Sequence, residues 1–228
     1  MVQLFTLIGD VVGSRDLPDR GAAQRRIVEV LAEVSRALTP AQRLEATVGD
    51  ELQGAFTTLA DAVLATALVR LALLPDVDVR CGLGHGEVTV YDDQRTPLLQ
   101  DGPGWWAARE ALDVLGRPRR ASSRTWYDAG AGGTHAGPVN AFLLTRDALL
   151  DRLGDRGRSL ALAALQGRSQ AEIAADQGIS RSAVSQQFAR GVGALRDAHL
   201  SFAAGETEAD SGAGSATGPA TAGREEQR

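Results

Sequence analysis

The sequence contains no lysine: all 24 of its basic residues are arginine. That excludes Schiff-base chemistry and lysine-dependent phosphate loops, so positive charge on a phosphate must come from arginine, a metal or backbone amides. There is a single cysteine, Cys81, so no internal disulfide can form and an oxidising compartment gains no support. No apolar run approaches the roughly 20 residues of a membrane-spanning helix, and no membrane partner is expected. The N-terminus, MVQLFTLIGD, lacks the basic n-region and long apolar core of a signal peptide, which points to a cytoplasmic protein. A net charge of −5 excludes a uniformly basic nucleic-acid coat but leaves room for a local basic face.

What is present is a chain of 228 residues, 43% of them apolar, enough for one medium domain and a small one. The stretch that organises it is FTLIGDVVGSR, Phe5–Arg15, together with its echo TVGDELQG at Thr47–Gly54. Each is a short apolar run that delivers a carboxylate, Asp10 or Asp50, beside a glycine. Paired carboxylates supply hard oxygen ligands, and glycines let backbone amides approach an anion closely. Taken singly, each corner also reads as an ordinary turn, where Asp and Gly are favoured.

Periodicity orders the rest. Leu4–Ile8 reads as a buried strand. Ile27, Val30, Leu31, Val34 and Leu38 make Gly21–Leu38 an amphipathic helix, ended by Thr39-Pro40. Leu44–Val48 and Leu52–Phe56 form a hairpin around Gly49-Asp50, and Leu59–Leu74 is a second long helix. Val77–Leu83 and Glu87–Val90 read as two strands joined through Gly84-His85-Gly86. Asp92–Pro103 reads as a loop, Gly104–Leu115 as a helix and Ser122–Tyr127 as a strand. Gly-rich Ala129–Pro138 reads as a flexible boundary. This order predicts an α+β, ferredoxin-like sandwich with helices on one face of a mainly antiparallel sheet.

Four segments carry a family resemblance. IGDVVGSR resembles the first-strand motif of class III nucleotide cyclases, with Val-Val-Gly after Asp10 where that family has Ile-Val-Gly. TVGDELQGAF is similar to their metal-bearing hairpin and places Asp50 at the second metal carboxylate. VRCGLGHGEV resembles their Arg-x-Gly-Ile-His-x-Gly strand, and GWWAARE their helix ending in Ala-Ala-Arg. The order holds over residues 4–115, half the chain. The blocks GD-VGSR, GDE-QG and DGP-x-W-x-AAR resemble the SatD family still more closely, a family whose function is poorly defined.

The cyclase resemblance implies a nucleotide-cyclase-like sandwich in which Asp10 and Asp50 hold Mg²⁺ or Mn²⁺. It also implies that amides of Val11, Val12, Gly13 and Ser14 cradle a phosphate at a helix start. Arg109 falls at the transition-state arginine, and Arg15 is a second phosphate contact. Glu51 is either an extra metal ligand or a turn carboxylate. Departures argue against conventional cyclisation. Trp105 stands where the family has asparagine, and Ala46 where it has the purine-reading lysine. Losing one such donor typically costs about 3 kcal/mol in the transition state. Trp105 and Trp106 are core residues or a base-stacking pair, and His85 reads as a turn histidine.

A second signal is SQAEIAADQGISRSAVSQQ, Ser169–Gln187. Ser169 and Glu172 make a capping box, Ala174 allows close helix crossing, Gly178 turns the chain and Ser180 caps the next helix. Ile173, Ile179 and Val184 fill the wedge. This spacing resembles the helix-turn-helix modules of LuxR and sigma region 4 proteins. Arg158–Leu165 supplies the preceding helix. The second helix of the pair would present Arg181, Ser182, Ser185, Gln186 and Arg190 to DNA. Residues 152–196 hold seven arginines against Asp155, Glu172 and Asp176, a positive excess opposite in sign to the rest of the chain.

The expected division is therefore a cyclase-like domain over 1–135 and a small all-α helix-turn-helix domain over 140–202. Asn140–Leu153 would connect them, and 203–228 would form a disordered acidic tail. The expected function is a DNA-binding regulator sensing a nucleotide or phosphorylated small molecule with a divalent metal. The alternative is a metal-dependent nucleotidyl- or phosphoryl-transfer enzyme. Both resembled families imply a homodimer.

Overall fold

The computed structural model describes residues 2–47, 49–120, 122–131 and 135–213. Strand β1 (Val2–Val11) sits inside the sheet, flanked by β3 (Glu51–Phe56) and β4 (Val79–Asp92), both antiparallel to it. β2 (Gln42–Ala46) edges β3. β5 (Leu99–Asp101) and β6 (Thr125–Asp128) pair with different stretches of β4, and β6 runs parallel to it, so the sheet is mixed. Val48, expected to end the first hairpin strand, lies outside the described residues.

The helices cover both faces of this sheet rather than the one face expected. α1 (Arg20–Leu38) and α2 (Leu59–Leu73) bury Ile27, Val30, Leu31, Val63 and Leu68 against Leu7, Val11, Leu52 and Leu83. α3 (Pro103–Leu115) lies on the opposite face, with Trp105, Ala108 and Leu112 on Leu4, Ile8 and Val88. The reason is in β4. The glycines expected to separate two strands belong to one continuous strand and form a smooth stripe under α3. A Cβ on Gly82 would lie 2.2 Å from the Ala108 carbonyl oxygen, and one on Gly84 2.2 Å from the Ala108 nitrogen. At the other end Thr6 donates from its hydroxyl to the Gly104 carbonyl at 2.7 Å, pinning the first turn of α3 to β1. The segment expected as a loop before α3 contains β5.

α4 (Ala136–Asp151) starts earlier than expected and is more than a connector. Val139 and Leu143 join the core beneath α2, and the Asn140 side chain bonds both the amide and the carbonyl of Tyr127 at 2.8 Å. Gly132–Thr134 of the expected flexible boundary lie outside the described residues. α5 (Asp155–Leu165), α6 (Gln170–Asp176), α7 (Arg181–Gln187) and α8 (Gly193–Ala213) share a second core built on Leu160, Ile173, Val184 and Leu195. Leu71 of α2 joins that core, so the two parts are packed together.

α8 also extends past the expected start of the tail. Glu206 accepts from the amides of Leu59 and Ala60, each at 2.6 Å, and so satisfies the first turn of α2. Residues 214–228 of the tail lie outside the described residues.

Candidate functional site

β1 alternates as a strand must. Leu7 and Val11 face α1 and α2, while Leu4 and Ile8 face α3. Asp10 continues the second set. In the sheet register it stands between Glu51 on β3 and Arg80 on β4. Arg80 donates from Nε and Nη2 to the two carboxylate oxygens of Asp10, at 2.6 and 2.8 Å. The hydrogen bond to Asp10 raises the Arg80 pKa against the opposing effect of burial, and the charges of Asp10, Asp50 and Asp113 add to it. Glu51 is engaged as well: its oxygens accept from Arg109 at 2.6 Å and from Gln53 at 2.9 Å. The end of the sheet thus carries two adjacent acids, each matched by an arginine.

Asp50 lies one residue outside the ladder, in the Gly49-Asp50 turn. It lines a cleft of about 380 Å³ with Val11, Ser14, Arg20 and Gln24. The expected phosphate cradle is partly spent: Val11 is paired with Val79, and the Val12 amide donates to the Asp78 carbonyl at 2.9 Å. Gly13, at φ +65°, makes the turn, and Ser14 begins a short 3₁₀ turn that includes Arg15, which is exposed.

The donors do not fit a divalent ion as they stand. Mg²⁺ and Mn²⁺ want about six oxygens in a near-octahedral shell. Both oxygens of Asp10 and both of Glu51 already accept hydrogen bonds. Among the described residues no group of three or more His, Cys, Asp or Glu side chains converges to hold a metal. Arg80 occupies the electrostatic role given to a cation by the sequence. Its signal was present in VRCGLGHG, but nothing local tells which acid an arginine on another strand will meet.

A second cleft, of about 490 Å³, opens on the α3 side between Glu51, Gln53, Arg95, Trp106 and Arg109. The tryptophans divide. Trp105 is in the core, and its buried Nε1 has no hydrogen-bond partner among the described residues. Trp106 is 59% exposed and donates from Nε1 to Asp101 at 2.7 Å. His85 stacks on Phe5 at 4.6 Å between centroids, and burial lowers its pKa.

In the helical part, the Ser169–Glu172 capping box is formed and Ser180 accepts from the Ala183 amide. Gly178, at φ +62°, turns the chain where a side chain would be strained. Ile173 and Val184 are buried. Arg181, Ser182, Ser185, Gln186 and Arg190 are all exposed. Arg190 lies past the end of α7, in a π-turn that Gly191 breaks at φ +134°. Of the arginines counted on this part, Arg158 pairs with Asp155, Arg168 with Asp176, and Arg196 with Asp197. Arg181 and Arg190 have no ion-pair partner among the described residues.

These elements define a mixed α/β protein with a two-sided sheet and a helical C-terminal part. Residues 4–119 match the SatD family, and the chain belongs to that family. No curated protein matches it. Two solved structures of a bacterial light-regulated adenylyl cyclase show a weak likeness in fold. They are 12% and 13% identical with TM-scores of 0.41 and 0.42, and each covers 55% of this chain. The match spans 43% of the first of those chains and 75% of the second. Among the described residues no helix is long and apolar enough to cross a membrane.

Proposed function

We propose that this protein is a DNA-binding transcriptional regulator that uses α6 and α7 as a helix-turn-helix. The carrying observation is the two-sidedness of α7: Val184 is buried in the helical core while Arg181, Ser182, Ser185 and Gln186 are exposed. The solvent face of any amphipathic helix is polar; on this one all four exposed side chains can hydrogen-bond and one is cationic. Those side chains suit base edges and phosphates in a major groove. Arg181 and Arg190, exposed and free of ion pairs among the described residues, are charges available to the DNA backbone.

The reading is tested by fluorescence anisotropy on duplexes recovered by selection from a genomic library. Gln186→Ala is expected to weaken the selected duplex by about tenfold and relax its sequence preference. Arg181→Ala is expected to weaken binding and, if it meets a phosphate, to reduce the salt slope by about 1. Affinity and preference unchanged in both variants would remove the proposal.

The sheet part is proposed to sense a nucleotide or another phosphorylated small molecule in the cleft lined by Arg95, Arg109 and Trp106. Two arginines are suited to a phosphate and an exposed indole to a base. A calorimetric titration with ATP, repeated on Arg109→Ala, tests it: equal heats in both proteins exclude that cleft. Nucleotidyl or phosphoryl transfer remains the second reading, and cyclic product or pyrophosphate release lost in Asp50→Asn would promote it.

A further inference from the structure

A different cavity lies where the two parts of the molecule meet, and neither motif absorbs it. It is bounded by α2, α5, the α5–α6 turn and α8, and holds about 400 Å³. That is far larger than the roughly 30 Å³ share of one water and falls in the usual range of about 300–1,000 Å³ for ligand sites. It exists because small residues, Ala60, Ala164, Gly167 and Ala203, line it from four separate segments. Gly167 turns at φ +82°, and a Cβ built there would meet nothing within 4 Å among the described residues. Leu64, Leu165 and Leu200 supply apolar walls.

The polar lining is sparse and specific. His199 lines the cavity, is only 8% exposed, and its Nε2 is buried without a hydrogen-bond partner among the described residues. The ring is held edge-on to Phe142 at 5.3 Å. Burial drives its pKa down to about 3, so the imidazole is uncharged at neutral pH. Arg168 and Arg196 also line the cavity, each already joined to an aspartate, Asp176 and Asp197. The one acid in the lining among the described residues, Asp61, accepts from the Thr58 hydroxyl at 2.8 Å as part of the α2 cap. The lining thus carries two arginines and one aspartate among the described residues, with Asp176 and Asp197 balancing the arginines from outside it.

We propose that this cavity binds a small organic anion with an apolar body. Its carboxylate or sulfonate meets Arg168 and Arg196, and its body lies against Leu64, Leu165 and Leu200. Ser169 both lines the cavity and caps α6, so occupancy touches the helix pair assigned to DNA. That coupling rests on the DNA reading, whereas binding itself does not.

The test uses the full chain and 8-anilinonaphthalene-1-sulfonate, an aromatic anion that fluoresces when it leaves water. Its neutral analogue N-phenyl-1-naphthylamine serves as the comparison. Saturable one-to-one fluorescence enhancement of the sulfonate is expected. Leu200→Trp, which fills the mouth from an exposed position, is expected to weaken it by about tenfold, a difference of about 1.4 kcal/mol. The double variant Arg168→Ala, Arg196→Ala is expected to weaken the sulfonate by a similar factor while leaving the neutral analogue unchanged. Near-ultraviolet circular dichroism shows whether each variant keeps its packing. Absence of saturable binding, equal binding by native protein and Leu200→Trp, or equal loss of both dyes in the arginine variant would each overturn the proposal. No DNA enters this titration, so its failure and that of the DNA reading are separable.

Discussion

Arg80 grips both carboxylate oxygens of Asp10, at 2.6 and 2.8 Å, across the pairing of β4 with β1. The bidentate geometry is the strong form of an arginine–carboxylate contact. It closes the carboxylate that the sequence offers most plainly to a metal. A cation drawn to Asp10 would compete with a guanidinium already in place.

Removing that guanidinium should expose the acids. In calorimetric titrations with Mn²⁺ the native protein is expected to give no saturable heat in the low millimolar range. Arg80→Ala is expected to bind one ion with a dissociation constant on the order of 1 mM, as two adjacent carboxylates would. Saturable binding by the native protein that disappears in Asp10→Asn would overturn the closed-site view.

The glycine stripe of β4 sets how near α3 can lie. Gly84→Ala would place a Cβ 2.2 Å from the Ala108 nitrogen and 2.4 Å from the Gly104 carbonyl oxygen. Neither is a flexible side-chain end, so the helix must move. A loss of about 3 kcal/mol in urea unfolding is expected. Gly137→Ala, with nothing within 4 Å among the described residues, is the control and should be neutral or slightly stabilising. Equal effects from the two substitutions would contradict this account of the packing.

Asp147 and Arg146, both 1% exposed as side chains, tie α4 to the sheet and to α2. One Asp147 oxygen accepts from the amides of Arg124 and Thr125, at 2.9 and 2.8 Å. The other accepts from Arg146, which also donates to the Val63 carbonyl at 3.0 Å and the Thr66 hydroxyl at 2.9 Å. Asp147→Asn leaves a buried guanidinium without its counter-charge and is expected to cost about 3–5 kcal/mol. A loss below 1 kcal/mol in chemical denaturation would show that the pair is not a major tie.

Burial of His199 also predicts a pH dependence. Its folded pKa, about 3, lies below the ordinary value of 6.5. Between those values the unfolded chain takes up a proton that the folded protein refuses. Stability contributed here is complete above pH 6.5 and falls as pH drops toward 3. The expected loss from this residue between pH 7 and pH 5 is about 2 kcal/mol. His199→Leu should remove it and leave the smaller same-signed part from His85, whose pKa burial also lowers. Parallel stability curves for native protein and variant over that range would exclude the effect.

The helices and most strands were legible because their signals are local. The three-and-four spacing of Ile27, Val30, Leu31 and Val34 identifies α1 without reference to anything else in the chain. The same holds for the Ser169–Glu172 box, Gly178 and the Ser180 cap, whose partners lie within a few residues. From sequence alone β4 reads as two strands, because its glycines resemble a turn when their neighbours are unknown. Their purpose appears only when α3 lies on them.

By itself the sequence determined the order of the long helices, the lack of disulfides, the family and the residues offered to a site. Tertiary structure alone decided which charges meet: Arg80 with Asp10, Arg109 with Glu51, and Glu206 with the first amides of α2. The physical reason is separation. Those partners are 70, 58 and about 147 residues apart. A charge has no period along the chain to announce its counter-ion, and only strand register and helix packing bring the two together.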